Sequence, residues 1–137
     1  MARIVEGLTE ETVASNLAAV QQEIDGALAR TGRAADSVEI VAAVKYVAAH
    51  DIPLLQRAGI RVAGENRAQD LVEKATIAPE LVWHFIGHLQ SRKARDVSAI
   101  CELVHSLDSD SAAARLTVPA LVQVNLSGEE TKSGVSP

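Results

Sequence analysis

The position of Lys45 is the feature of this sequence that first suggests chemistry. The chain has four lysines, and Lys45 alone directly follows a mainly apolar run, Val38 to Val44, typical of a parallel strand buried on both faces. Ligand sites in parallel α/β folds form at the carboxyl ends of strands. Partial desolvation there would disfavour the ammonium form and leave an amine able to attack a carbonyl. The alternative is a lysine that extends from the sheet edge into solvent, and position alone does not decide.

A second polar group follows the next predicted strand, Ile60 to Ala63, in the segment Gly64-Glu65-Asn66. Glycine permits a tight turn and close approach of the backbone, and the Asn66 amide can donate and accept hydrogen bonds in the plane of a ring substituent. Asn66 could instead cap the helix that follows. Both interpretations stay open at this point.

Two histidines lie in the segment Trp83 to Gln90, around the end of a third predicted strand. The spacing His-x-x-x-His on a helix would present both rings to one metal ion. Here Gly87 and a strand-like run separate the rings, and no third ligand is nearby, so we expect no metal site. We expect His84 to lie in the core or line a site, and His88 to lie in the following loop.

Two further segments resemble anion sites but are interpreted more simply. Arg92, Lys93 and Arg95 form a small basic cluster, which in an acidic protein is more typical of a solvated face. The segment Asn125 to Gly134 contains Gly, Lys and Ser, yet its order differs from that of a phosphate-binding P-loop.

The elements that would position these residues alternate along the chain. Val13, Leu17, Val20, Ile24 and Leu28 lie at helical spacing, with Thr9 as the expected N-cap and Gly32 as the expected end. Further helices are predicted over 48–58, 67–75, 91–100 and 108–116, and strands over 38–44, 60–63, 82–86, 103–105 and 118–126. This alternation predicts a parallel α/β sheet, and periodicity fits a (β/α) barrel and a doubly wound sheet equally well.

One junction is unusually short. Only Thr117 separates the last predicted helix from the strand that begins at Val118, whereas such connections usually take about 2 to 6 residues. We therefore expect residues to be missing here. The abrupt end at Ser136-Pro137 also leads us to expect that the natural protein is longer.

Composition narrows the class of protein. The net charge of −5 provides no electrostatic footprint for nucleic acid or an anionic membrane. The single cysteine, Cys101, excludes an internal disulfide framework and suits a reducing compartment. No apolar stretch approaches the ~20 residues of a membrane span, and acidic residues interrupt any signal-like region near the N-terminus. These features predict a cytoplasmic protein.

Several motifs occur in an informative order. They are Ala43-Val44-Lys45, Gly64-Glu65-Asn66, Trp83 to Ser91, His105-Ser106-Leu107-Asp108 and Asn125 to Glu130. Together they resemble the YggS/PROSC family of pyridoxal phosphate homeostasis proteins, whose fold is similar to the N-terminal barrel domain of alanine racemase. The resemblance extends from the first helix to Pro137, and the His-Phe-Ile-Gly-His-Leu-Gln block is its most diagnostic part.

This resemblance implies a (β/α)8 barrel of the TIM type, of which the chain holds the first helix and about five β/α units. Residues 1–137 would then be a single domain, the N-terminal portion of an incomplete barrel. Pyridoxal 5'-phosphate would be bound as a Schiff base on Lys45. Asn66 and His84 would lie near its ring, and Asn125 and Ser127 would face the same cavity. The family commonly has Ser or Thr before the lysine and Thr after it, where this sequence has Val44 and Tyr46.

Three functions are compatible with these residues. The first is a pyridoxal phosphate-binding protein that buffers the cofactor or delivers it to apo-enzymes, without turnover of its own. The second is a racemase or decarboxylase of the same barrel type. Racemisation needs a second base on the opposite face of the substrate carbon, and Tyr46 adjoins Lys45 in sequence. The third is a scaffold without a cofactor. Because a second domain is missing from these residues, we expect a monomer.

Overall fold

A computed structural model describes residues 3–137 of the chain, in which helices and strands alternate. The helices are α1 (Glu10–Thr31), α2 (Ile52–Arg57), α3 (Ala68–Ile77), α4 (Ala94–Ser98) and α5 (Asp110–Ala113). The strands are β1 (Val41–Ala43), β2 (Val62–Glu65), β3 (Val82–Phe85), β4 (Leu103–Leu107) and β5 (Ala120–Val122). Single 3-10 turns precede α2 and α4.

The five strands form one parallel sheet in the order β1-β2-β3-β4-β5. A doubly wound sheet reverses its strand order at a switch point, and no such reversal occurs here. Consecutive parallel strands separated by helices are instead the arrangement found in (β/α) barrels. The α/β class predicted from the sequence is confirmed, and the sheet is consistent with a TIM-barrel-like fold.

Helix α1 begins and ends where its sequence predicts. The Thr9 hydroxyl accepts a hydrogen bond from the backbone N–H of Thr12 at 3.1 Å, which satisfies one donor of the first turn. Gly32 ends the helix in the left-handed conformation, with φ at 65°. Glycine adopts this backbone conformation without the steric cost that a side chain would add.

The core lies between the helices and one face of the sheet. Ala63, Trp83, Phe85 and Val104 alternate along β2, β3 and β4 and are at most 3% exposed. They pack with Leu71 of α3 and Val97 of α4, both fully buried. Because neighbouring residues of a strand point to opposite faces, Gly64 and His84 belong to the other face of the same sheet.

Two predicted boundaries around β5 are wrong. The strand expected over 118–126 is confined to Ala120–Val122, beyond which Val124 forms only an isolated bridge with Val135. Helix α5 ends at Ala113, so residues 114–119 connect it to β5, a connection of ordinary length. The short junction that suggested missing residues is therefore absent from the structure.

The first strand is also shorter than expected. The predicted strand begins at Val38, but β1 spans only Val41–Ala43 and Val38 is 39% exposed.

No helix within residues 3–137 is long and apolar enough to cross a bilayer.

Candidate functional site

Residues from four strands gather at the carboxyl-terminal edge of the sheet. The strand register aligns Ala43, Gly64, His84 and Leu103 across β1 to β4. Two positions after each of these aligned residues lie Lys45, Asn66, Ile86 and His105. The carboxyl edge therefore brings together three of the predicted site residues, Lys45, Asn66 and His84, and adds His105.

Lys45 lies in a tight turn at the end of β1. The Val47 N–H donates to the Val44 carbonyl at 3.0 Å, which places Lys45 and Tyr46 at the two corners of the turn. The Lys45 side chain is exposed, and its Nζ lies 5.0 Å from the centroid of the Tyr46 ring. The prediction that Lys45 is partly desolvated is therefore wrong, because the turn places its side chain in solvent, outside the buried strand.

Asn66 does not cap the following helix. Helix α3 begins at Ala68, its N-cap is Arg67, and no side chain caps its first turn. Within residues 3–137 the half-buried Asn66 amide makes no side-chain hydrogen bond, whereas its backbone N–H donates to Glu65 Oε1 at 2.6 Å. The capping interpretation is therefore wrong, and the amide is free to bind a ligand.

His84 and His105 form a hydrogen-bonded pair. His84 Nδ1 lies 3.0 Å from His105 Nε2, and the tilted rings have centroids 5.1 Å apart. Burial, and then the neighbouring His105 ring, lower the pKa of His84, and Glu39 and Glu102 oppose this only in part. One ring nitrogen donates a hydrogen bond to the other, and the tautomers decide which of them is the donor. The buried position of His84 agrees with its predicted place in the core or lining a site.

His105 is the site residue that sequence reasoning missed. It lies in the His105-Ser106-Leu107-Asp108 motif, two residues beyond the start of β4, and the pairing of β3 with β4 places it beside His84. The strand predicted over 103–105 did contain it. What the sequence lacked was any sign that β3 and β4 are hydrogen-bonded neighbours.

Gly87 keeps the Asn66 loop close to the end of β3. A Cβ atom at Gly87 would lie 2.1 Å from the Asn66 carbonyl oxygen, so only glycine fits without a backbone shift. The Ser106 hydroxyl of β4 also donates a hydrogen bond to the Gly87 carbonyl. This close packing links the loops after β2 and β3 to the neighbouring strand β4.

Beneath the site lies an ion pair between Glu65 and Lys74. Lys74 Nζ donates to Glu65 Oε2 at 2.5 Å and to the Val44 carbonyl at 2.9 Å, and both side chains are at most 5% exposed. The apolar environment strengthens each of these contacts. Sequence reasoning considered Gly64 and Asn66 of this motif but assigned no role to Glu65 or Lys74.

Asn125 and Ser127 shape the loop after β5. Asn125 Nδ2 donates to the carbonyls of Glu129 and Lys132, and Oδ1 accepts from Ser127 and from the Gly128 N–H. The Asn125 amide is thus fully engaged within its own loop. The Ser127 side chain is exposed, and the predicted contacts of both residues with a cofactor stay predictions.

Arg92 and Lys93 of the predicted basic cluster border a cavity of about 300 Å³. Its lining includes Asn66, Arg67, Arg92 and Lys93. Arg92 donates to the Gln90 amide oxygen at 3.0 Å, and Lys93 lies 3.7 Å from the carboxylate of Asp96. Residues 3–137 contain no group of three or more His, Cys, Asp or Glu side chains placed to hold a metal ion.

Comparison with curated proteins finds many relatives of one name. The pyridoxal phosphate homeostasis proteins of Vibrio cholerae and Escherichia coli K12 are each 36% identical to this chain. The matches cover 92% and 90% of its length, respectively. The same-named protein of Aquifex aeolicus is 36% identical over 88% of the chain. The chain spans about 60% of the length of these relatives. No family model matches the sequence.

Solved structures give the same picture. An unknown protein from Bifidobacterium adolescentis matches 99% of the chain with a TM-score of 0.82 and 30% identity, and the chain covers 64% of it. PipY of Synechococcus elongatus PCC7942 matches 91% of the chain at 31% identity, with TM-scores of 0.75 without PLP and 0.70 with PLP bound. The chain covers 59% and 58% of those two structures.

Proposed function

Because this chain is a homologue of the pyridoxal phosphate homeostasis proteins, as its ordered motifs predicted, we propose that it binds pyridoxal 5'-phosphate as a Schiff base on Lys45. Its role is to maintain or deliver the cofactor inside the cell rather than to turn over a substrate. The observation that carries the proposal is the exposed Lys45 amine at the same sheet edge as the free Asn66 amide. The relative solved with PLP bound supports this choice of cofactor.

The donor set at this edge suits an aromatic aldehyde with polar substituents. The Lys45 amine is available to a carbonyl, and the Asn66 amide can bond to a ring substituent in its plane. The His84–His105 pair lies at the same edge, and the lowered pKa of His84 favours the uncharged form of that ring. When bound, the cofactor supplies an aldehyde for the lysine and a ring that accepts electrons. Asn125 and Ser127 belong to the proposal as residues of the loop after β5, where the Asn125 amide maintains the loop.

We further propose that residues 1–137 are the N-terminal portion of a (β/α)8 barrel. Support comes from the consecutive parallel strand order and from matches that cover about 60% of the structures of relatives. A cytoplasmic location and a monomeric state belong to the same proposal, as does the handing of cofactor to apo-enzymes that need it.

The racemase alternative is not favoured. The matched relatives carry the homeostasis name. Racemisation also needs two bases on opposite faces of one carbon. Tyr46 is the next residue after Lys45 in the same turn, and its ring lies near the Lys45 amine rather than across a cavity from it.

The test is covalent trapping of the cofactor. The full-length protein is mixed with equimolar pyridoxal phosphate, its visible absorption is recorded, and borohydride reduction is followed by peptide mapping. We expect an absorption band and modification at Lys45. We expect Lys45→Ala to weaken binding at least tenfold. Arg57→Ala, which removes a cation paired with Glu10 at the end of α2, is expected to leave binding unchanged.

Three outcomes would count against the proposal. No visible band would favour a scaffold without cofactor. Modification of the wild-type protein mainly at another lysine would place the site elsewhere. Racemisation of alanine at enzyme-like rates would favour the alternative.

Delivery of the cofactor has its own test. Restored activity of an apo-aminotransferase mixed with the loaded protein would support delivery.

A further inference from the structure

Lys74 is the buried member of the four lysines. Only 5% of its side chain is exposed, and the side chain of its partner Glu65 is fully buried. Lys74 comes from α3, the helix that packs behind the sheet, whereas Glu65 is the last residue of β2. The pair therefore crosses from the helix layer into the sheet.

Two of the three polar contacts of this pair reach the backbone at a residue of the proposed site or next to one. Lys74 Nζ donates to the carbonyl of Val44, and that carbonyl belongs to the peptide bond that leads into Lys45. Glu65 Oε1 accepts from the backbone N–H of Asn66. The remaining contact joins Lys74 to Glu65 itself. One ion pair thus connects the backbone immediately before the lysine to the backbone of the asparagine.

Stability alone does not account for charges at this place. Well-packed apolar residues of similar volume often stabilise a core as much as a buried ion pair, because both charges must leave water. What the ion pair adds is direction, since its hydrogen bonds have preferred distances and angles. Here those bonds fix the relative position of two backbone segments.

We infer that Glu65 and Lys74 are positioning residues that hold the Lys45 turn and the Asn66 loop at a fixed separation. The inference rests on the proposed function for its ligand, but the geometry of the two loops can be measured without one. Lys74 itself is not available to a carbonyl compound, because its amine is buried and bonded to two acceptors.

The test compares the full-length protein with a double variant, Glu65→Leu/Lys74→Met, which removes both charges while keeping apolar volume. In the absence of cofactor, we expect the exchange of the Asn66 and Val47 amide hydrogens to accelerate at least tenfold. The Phe85 amide in β3 is expected to exchange as in the wild type. In the presence of pyridoxal phosphate, we expect the dissociation constant to rise at least tenfold, with a shifted pH dependence of the visible band.

Single and control variants complete the design. Lys74→Arg keeps a cation that can donate to both acceptors, and we expect it to retain most of the wild-type affinity for pyridoxal phosphate. Arg57→Met removes a cation that pairs with Glu10 outside this cluster, and we expect wild-type exchange and affinity. If the double variant does not fold, Glu65→Gln, which keeps an oxygen for the Asn66 N–H, gives the same two measurements with a smaller expected change.

The outcomes separate this inference from the proposed function. Wild-type exchange at Asn66 and Val47 in a folded double variant would overturn the positioning role, even if pyridoxal phosphate binds Lys45. Accelerated exchange there, in a protein that shows no visible band at all, would support the positioning role and refute the cofactor proposal. Accelerated exchange spread over the whole sheet would mean that the pair only stabilises the fold, and would overturn the inference.

Discussion

At the scale of single residues, His84 should make the stability of the protein depend on pH. Its pKa is lowered in the folded protein, mainly by burial, whereas in the unfolded chain it should lie near the ordinary value of about 6.5. As the pH falls below about 6.5, His84 binds a proton in the unfolded chain but stays unprotonated in the folded protein. We therefore expect the free energy of unfolding to be highest above that pH and to fall until the folded protein also becomes protonated.

Urea unfolding at pH 7.5 and pH 5.0 measures this dependence. We expect His84→Gln, which keeps a hydrogen-bonding group for His105 but does not titrate, to lose less stability on acidification than the wild type. His50→Gln is the matched control for the removal of a histidine, because the His50 side chain is 82% exposed and lies outside the His84–His105 pair. Equal slopes for wild type and His84→Gln would contradict the assignment.

The residues that the sequence identified are those whose meaning depends on near neighbours. Lys45 follows an apolar run and Asn66 follows a short strand, so both could be placed at strand ends. Glu65 and Lys74 could not be paired from the sequence, because they lie on different elements, β2 and α3. Lys74 also donates to a carbonyl 30 residues earlier in the chain. Burial of a charge depends on which elements pack together, and the local pattern does not contain that information.

At the scale of elements, the loops after β2 and β3 depend on Gly87. In Gly87→Ala the new Cβ would lie 2.1 Å from the Asn66 carbonyl oxygen, so one of the two loops must move. We expect a loss of about 1 to 3 kcal/mol in the free energy of unfolding, as for other overpacked sites. We also expect weaker binding of pyridoxal phosphate, because Asn66 moves.

Gly26→Ala is the control of opposite sign. Gly26 lies within α1, where a Cβ would meet only the flexible end of Arg30 at 3.3 Å. Alanine in a helix interior is favoured over glycine by roughly 0.5 to 1 kcal/mol, so this variant should be more stable. Titration with cofactor and thermal unfolding measure both variants. Unchanged cofactor affinity in a folded Gly87→Ala protein would show that the Asn66 position does not matter for binding.

The boundaries of elements were predictable where a cap marks them. Thr9 and Gly32 delimit α1 by local hydrogen bonds and a left-handed residue, and both are read directly from sequence. The end of β5 has no such mark. The segment that favours a strand continues to Leu126, but the Asn125 side chain organises the loop that follows and ends the ladder. Side-chain hydrogen bonds of this kind compete with strand pairing in a way that hydrophobicity does not reveal.

At the scale of the whole molecule, the sequence left the sheet topology undecided, because a barrel and a doubly wound sheet share the same local periodicity. The strand order depends on which strands pair and not on what each contains, and the consecutive order found here is consistent with a TIM-barrel-like fold. The same parallel ladder makes β1 to β4 a continuous hydrogen-bonded unit beneath Lys45, Asn66 and His105. We therefore expect the cofactor site and the core to unfold together.

Chemical labelling of Cys101 tests whether the cofactor site and the core unfold together. It is 3% exposed between α4 and β4, and burial raises its pKa to about 12, so a thiol reagent should reach the reactive thiolate only when the core opens. If that opening is global, a ligand at Lys45 slows it by mass action. At a cofactor concentration of 100 times the dissociation constant, we expect modification of Cys101 to be roughly 100-fold slower, equivalent to about 2.7 kcal/mol. Lys45→Ala at the same cofactor concentration should show almost no slowing. Labelling at an unchanged rate in the cofactor-bound wild type would instead mean that the segment around Cys101 opens locally, independently of the sheet edge that carries the site.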